Sequence, residues 1–186
     1  MNKNYICHSG GALGADITWE TYGEKYGVKT IAYSFNEHNT KSKNKKILSL
    51  DTMRDAISHL DKANEQLKRG SFSSHSPYVI HLLSRNWFQV KNSDTIFAIG
   101  KLHRNKKSVN GGTGWAVQMG IDNGKPIYVY DQTTKFWYAY LYTENKFVEY
   151  YDIPTLTENF AGIGTRKLSV FGEEAIKQIY KHNFIK

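Results

Sequence analysis

Three glycine-rich turns hold the residues of this chain whose types and spacing can do chemistry. Near the N-terminus Ser9, Gly10, Gly11 and Gly14 lead into Asp16. In the middle of the chain Gly111, Gly112, Thr113 and Gly114 lead into Gln118. Near the C-terminus Gly164, Thr165 and Arg166 follow the apolar run Phe160-Ala161-Gly162-Ile163. Each turn reads as strand, glycine turn, helix start, and that order suits capture of an oxyanion. Glycine lets the backbone come close to a phosphate, and a helix N-terminus offers unpaired N–H groups and a partial positive charge. Arg166 adds a guanidinium able to bind a phosphate through two parallel hydrogen bonds. Backbone amides of the first turn can cradle phosphate or ribose oxygens, and Asp16 can accept from a sugar hydroxyl. Together the three turns predict one anion-binding rim.

Further candidates surround these turns. Glu20 lies one helical turn beyond Asp16. Arg85, Asn86 and Trp87 sit late in an apolar helical stretch, from which Arg85 and Asn86 can reach a ligand or a subunit partner and Trp87 can stack on a base. His103 lies in the basic run Lys101 to Lys107, between a predicted strand and the second glycine turn. None of His8, His38, His59, His75, His81 and His103 has metal-ligand spacing, so no metal and no cofactor is expected. The chain has no G-x-S-x-G elbow and no Walker A motif, which argues against a serine hydrolase and against hydrolysis of nucleoside triphosphates.

The elements that must position these residues alternate. Strands are predicted near 4–8, 29–34, 94–99, 126–130 and 159–163, and helices near 14–26, 51–69, 77–91, 113–123 and 170–182. Pro77 can open its helix with Ser76 as the N-cap. Residues 135–150 are aromatic and β-rich, with Thr143-Glu144-Asn145 as the turn of a hairpin. This pattern predicts an α/β domain with a mainly parallel sheet, carrying that hairpin.

At 186 residues the chain reads as a single domain, residues 1–186, able to bury a real core. Its one cysteine, Cys7, excludes a disulfide framework and fits a reducing cytoplasm. No signal peptide or long apolar run is seen, so the expected protein is cytoplasmic, without a membrane partner. The net charge of +8 draws on two basic segments, Lys41 to Lys46 and Lys101 to Lys107, and favours polyanionic ligands.

The turns resemble those of the SLOG superfamily, a Rossmann-like group that includes Lonely-guy phosphoribohydrolases, DNA-processing proteins and antiviral sensor domains. Phe160 to Arg166 (FAGIGTR) is similar to the family's Y-A-G-I-G-S-R-like turn. Ser9 to Asp16 (SGGALGAD) is similar to S-G-G-A-x-G-A-D, and Asn110 to Gln118 (NGGTGWAVQ) matches P-G-G-x-G-T-x-x-E in part. The first family motif stands last here. The resemblance therefore implies a circularly permuted, three-layer Rossmann-like domain that would regain the common order if Lys186 were joined to Met1. The implied strand order is 29–34, 4–8, 159–163, 94–99, 126–130, with 159–163 central.

By this resemblance Gly10, Gly11, Gly112, Thr113, Gly164 and Arg166 converge on one ligand. Gln118 stands where the phosphoribohydrolases carry a catalytic glutamate, and Trp115 where they carry a small hydroxyl residue. Glutamine cannot act as a general base. The expectation is therefore binding without turnover: sequestration of a phosphate-bearing nucleotide signal, ADP-ribose-like or cyclic. Such a protein would serve as a viral sponge against bacterial immune signalling, in the host cytoplasm. Family habit implies a dimer or tetramer, with the helices between 51 and 91 as its interface. Two alternatives stay open. One is an N-glycoside hydrolase using Asp16 or Glu20. The other is a single-stranded nucleic-acid binder, disfavoured because no basic stripe interleaves with aromatics.

Overall fold

The computed structural model describes residues 4–70 and 75–185. Met1 and Lys186, the two ends that the permutation would join, lie outside them. The chain runs β1 (Ile6–Ser9), α1 (Ala15–Lys25), β2 (Lys29–Ser34), β3 (Lys45–Ile47), α2 (Leu50–Arg54), α3 (Ile57–Leu67), α4 (Pro77–Lys91), β4 (Thr95–Gly100), α5 (Thr113–Asp122) and β5 (Ile127–Asp131). It ends with β6 (Phe136–Leu141), β7 (Lys146–Tyr150), β8 (Asn159–Gly164) and α6 (Val170–Phe184).

The strands form one eight-stranded sheet in the order β3-β2-β1-β8-β4-β5-β6-β7. All pairings from β3 to β5 are parallel, and β6 and β7 join as antiparallel strands. The strand predicted at 159–163 is central, with Cys7 opposite Phe160 on one side and Ile96 opposite Ala161 on the other. This α/β architecture has helices on both faces, because alternate strand residues point to opposite sides. Ile96, Ala98, Ala161 and Ile163 pack with Met53, Leu60, Trp87 and Trp115 from α2 to α5. Phe97, Ile99 and Phe160 pack with Trp19 of α1 and Ile176, Ile179 and Tyr180 of α6.

Two sequence-based boundaries change. The helix predicted over 51–69 is two helices. At the break Asp55 and Ala56 donate to Thr52 and Met53, three residues back, so the turn tightens before Leu60 bonds to Ala56 and α3 begins. The basic segment Lys41 to Lys46 is not all loop. Its end forms the short, exposed edge strand β3. Ser76 holds the N-cap position of α4 in extended geometry, but its hydroxyl makes no capping bond. No helix among the described residues is long and apolar enough to cross a membrane.

Candidate functional site

Because β1, β8 and β4 are parallel neighbours, their C-terminal ends open on one edge of the sheet, where open α/β sheets bind ligands. A cleft of about 590 Å³ lies there, within the size range of small-molecule sites. Ala12 and Leu13 line it from the β1–α1 turn, Gly164 to Lys167 from the turn after β8, and Asn110 to Thr113 from the start of α5. One wall is α4, through Tyr78, Val79, Leu82, Arg85, Asn86 and Gln89, and His38 and Asn39 complete the rim.

Asp16 of α1 and Arg85 of α4 line the cleft and are both buried, at 5% and 6% exposure. Asp16 Oδ1 accepts from the Gly164 amide at 3.0 Å, and Oδ2 lies 3.9 Å from Arg85 Nη2. Burial pushes the Asp16 carboxyl above its ordinary range, while Arg85 and the backbone amides of Gly164, Ala12 and Gly10 pull it back. Burial likewise lowers the Arg85 guanidinium, and Asp16 opposes that. With the Gln89 amide turned to place its oxygen inward, Oε1 accepts from Arg85 Nη1 at 2.6 Å and from the Gly10 amide at 3.0 Å. Arg85 Nε is buried without a partner among the described residues. A buried guanidinium with an unused donor is costly, and because Arg85 lines the cleft its positive charge favours an anion there.

The glycines of the three turns divide into two kinds. A Cβ on Gly10 would lie 1.6 Å from Arg85 Nη1. One on Gly164 would lie 2.5 Å from the Ile99 carbonyl, and one on Gly114 2.0 Å from the Val109 carbonyl. Gly14 has φ 93°, and a Cβ on it would lie 2.6 Å from the Thr165 and Arg166 carbonyls. These residues are glycine because other parts of the protein fill the space. Gly112 differs: its backbone is helical, at φ −60° and ψ −33°, and a Cβ there would meet no described residue within 4 Å. Neither conformation nor packing against the described residues demands glycine at 112, so among them its face is open to a ligand. The neighbouring Gly111 and Val109 carbonyls accept from Arg69 Nη1 and Nη2 at 2.5 and 2.8 Å. The amides of Gly112 and Thr113 donate to no other described residue.

Several predicted site residues lie elsewhere. Ser9 and Glu20 sit beneath the first turn. Ser9 Oγ and Ser42 Oγ donate to the buried Glu20 carboxylate at 2.8 and 2.5 Å. Burial raises the Glu20 pKa and the two hydroxyls oppose the rise. Ser42 thereby ties the loop after β2 to the β1 turn, helped by a hydrogen bond from Thr40 Oγ1 to the Gly11 carbonyl. Gln118 does not line the cleft, and its amide donates to Asp122 Oδ1 at 2.8 Å. Trp87 is spent on packing, stacked on His59 at 3.5 Å. His103 is exposed outside the cleft. Its loop lies along β7, where the Phe147 amide donates to the Lys106 carbonyl at 2.7 Å.

The sequence reading missed His38, Asn39, Tyr78, Leu82, Lys167 and Arg69. For the wall of α4 a signal was present: Arg85, Asn86 and Gln89 are polar residues in a helix whose buried side is otherwise apolar apart from Ser84. Burial, with Arg85 and Lys45 nearby, lowers His38 to about 4, and its Nδ1 shares a hydrogen bond with Ser34 Oγ at 3.0 Å. Among the described residues no group of three or more His, Cys, Asp or Glu side chains converges on a metal-binding point. Comparison with family models, curated proteins and solved structures gives no match for this chain.

Proposed function

We propose that the chain binds a phosphate-bearing, nucleotide-derived small molecule in this cleft and holds it without turnover. The observation that carries the reading is the buried guanidinium of Arg85, whose Nε has no partner among the described residues, lining the same cleft as the open amide turn at Gly112 and Thr113. An oxyanion suits both the positive charge and the open amides. Arg166 and Lys167 add positive charge at the rim.

The fold supports the same reading. Leaving out the short edge strand β3 and counting from β8, the parallel strands take the order third, second, first, fourth, fifth, as in the first five strands of the Rossmann order, and the cleft lies where that order reverses. Tyr5 and Phe184 meet edge to face at 4.9 Å, so the two ends of the described chain are neighbours. Such ends fit a circular permutation of a SLOG-like domain.

Lack of turnover is argued from the carboxylates. Asp16 lines the cleft but is engaged by Gly164 and Arg85. Glu20 is held by two serines, and Gln118 contacts Asp122. Sequestration of an ADP-ribose-like or cyclic nucleotide signal, as by a viral sponge, follows from a site that binds anions without a free general base. Nucleic-acid binding is less well supported, because the two basic segments lie against β3 and β7, at opposite ends of the sheet.

The test is to incubate the purified protein with ADP-ribose, cyclic ADP-ribose and cyclic dinucleotides, then heat it and analyse what is released. Recovery of an intact nucleotide after hours supports sequestration. Steady release of free base or ribose phosphate rejects it and makes Asp16 the first carboxylate to mutate. Capture of none of these molecules rejects the reading.

A further inference from the structure

We propose that Asn86 reads the hydrogen-bonding edge of a planar heterocycle, so that the ligand carries an adenine-type edge, donor beside acceptor, as well as an anion. This rests on the cleft being the nucleotide site argued above.

Asn86 is 9% exposed and lines the cleft. Its carboxamide makes no hydrogen bond with any other described residue, whereas Arg85 and Gln89, beside it on α4, bond to each other. The Asn86 amide atoms are not sealed from solvent, so donor and acceptor stay open to a ligand in the cleft, and a ligand that leaves them unpaired forfeits those hydrogen bonds. A carboxamide presents an acceptor and donors side by side in one plane. That arrangement matches an edge with an amino donor next to a ring acceptor, which is how asparagine pairs with adenine. A bare phosphate has acceptors alone and would leave Asn86 Oδ1 unused.

The surroundings suit a flat ring. Tyr78, Leu82 and Asn86 are spaced by four residues along α4 and so form one row, and all three line the cleft. Tyr78 is 40% exposed, braced edge-on by Phe35 at 5.5 Å. Leu13 also lines the cleft, with 58% of its surface exposed. The row runs from aromatic through aliphatic to carboxamide, with Arg85 adjacent to its polar end. A ring against Tyr78 and Leu82, with its edge on Asn86, uses the apolar half of the cleft that phosphate does not. A primary carboxamide on a pyridine ring has the same donor–acceptor edge, so the experiment must separate the two sources.

Calorimetric titration of the whole protein with adenosine monophosphate, inosine monophosphate and nicotinamide mononucleotide does so. Inosine replaces the amino donor of adenine with an acceptor and keeps the phosphate. The wild-type protein is expected to prefer adenosine monophosphate over inosine monophosphate by about tenfold or more. Asn86→Ala should bind the two equally and weakly, and Asn86→Asp, which keeps the shape and loses the donor, should also lose the preference. Preference for nicotinamide mononucleotide over inosine monophosphate supports the same edge from the carboxamide source. Equal binding of all three by the wild type, or preference for inosine monophosphate, overturns the role of Asn86 and leaves the anion site standing. Binding of none of the three overturns the role of Asn86, and the anion site falls with it only when ADP-ribose and the cyclic nucleotides are not captured either. The wild-type comparison decides the matter even if a variant fails to fold.

Discussion

The guanidinium of Arg85 fills the space that a side chain at position 10 would need, since a Cβ on Gly10 would stand 1.6 Å from Arg85 Nη1. The first glycine turn is thus shaped around a buried cation contributed by a distant helix. In the proposed function, an anionic ligand meets the protein at that cation and at the open turn at Gly112.

The two kinds of glycine should therefore respond differently to alanine. Gly10→Ala forces Arg85 or the β1 turn to move and should destabilise the protein by about 1–3 kcal/mol, as overpacking does. Gly112→Ala should leave stability unchanged or raise it by up to about 1 kcal/mol, because its backbone is already helical. It should also weaken capture of ADP-ribose, since the new methyl group enters the cradle. Urea denaturation and calorimetry on the same two variants check this. Unchanged capture by Gly112→Ala would remove that turn from the site.

Arg85→Met should cost about 3 kcal/mol at neutral pH, because it leaves the Asp16 carboxylate buried beside an apolar side chain. The loss should shrink as pH falls and Asp16 takes up a proton. Combining Asp16→Asn with Arg85→Met should recover much of the stability at pH 7 but none of the anion binding. Denaturation midpoints at pH 5 and pH 7.5 measure both effects, and a pH-independent deficit would show that the charge pair is not the cause.

Arg166 is exposed at the rim and makes no ion pair with a described residue. Arg166→Ala should weaken binding of a phosphorylated ligand by about 1.5–3 kcal/mol, the range for a hydrogen bond to a charged group, with an unchanged denaturation midpoint. Equal affinity of the two proteins in calorimetry would take Arg166 out of the site.

His38 gives the protein an acid-sensitive contact. Its imidazole is lowered from 6.5 to about 4 by burial and by the nearby Arg85 and Lys45. Between those two values the unfolded chain takes up a proton that the folded chain refuses, so stability falls as pH drops through that window. Relative to His38→Gln, the wild type should lose on the order of 2 kcal/mol between pH 7 and pH 4. Asp16 and Glu20, whose pKa values are raised, act in the opposite sense but equally in both proteins. Parallel stability curves for the two proteins would exclude His38 as the sensor.

What was legible in the sequence is what neighbouring residues decide. Helix α4 begins at Pro77 and ends at Lys91, where its apolar period and proline start place it, and the β6–β7 turn falls on Thr143 to Asn145. These are consequences of backbone geometry repeated every few residues. Strand β3 escaped notice because Lys45, Lys46 and Ile47 are all exposed and leave no alternating pattern. Helical spacing singled out Glu20 and the family resemblance Gln118, but only packing decided that Glu20 turns inward to Ser9 and Ser42 and Gln118 towards Asp122. The glycines were likewise visible as letters without their reasons. Gly10 is explained by Arg85, 75 positions later in the chain, and Asp16 by the Gly164 amide 148 positions away. The amino-acid order by itself determined the alternation of strands and helices and the edge of the sheet that would carry the turns. Tertiary structure decided which side chains meet there, because burial and pairing of charge depend on contacts that no local period encodes.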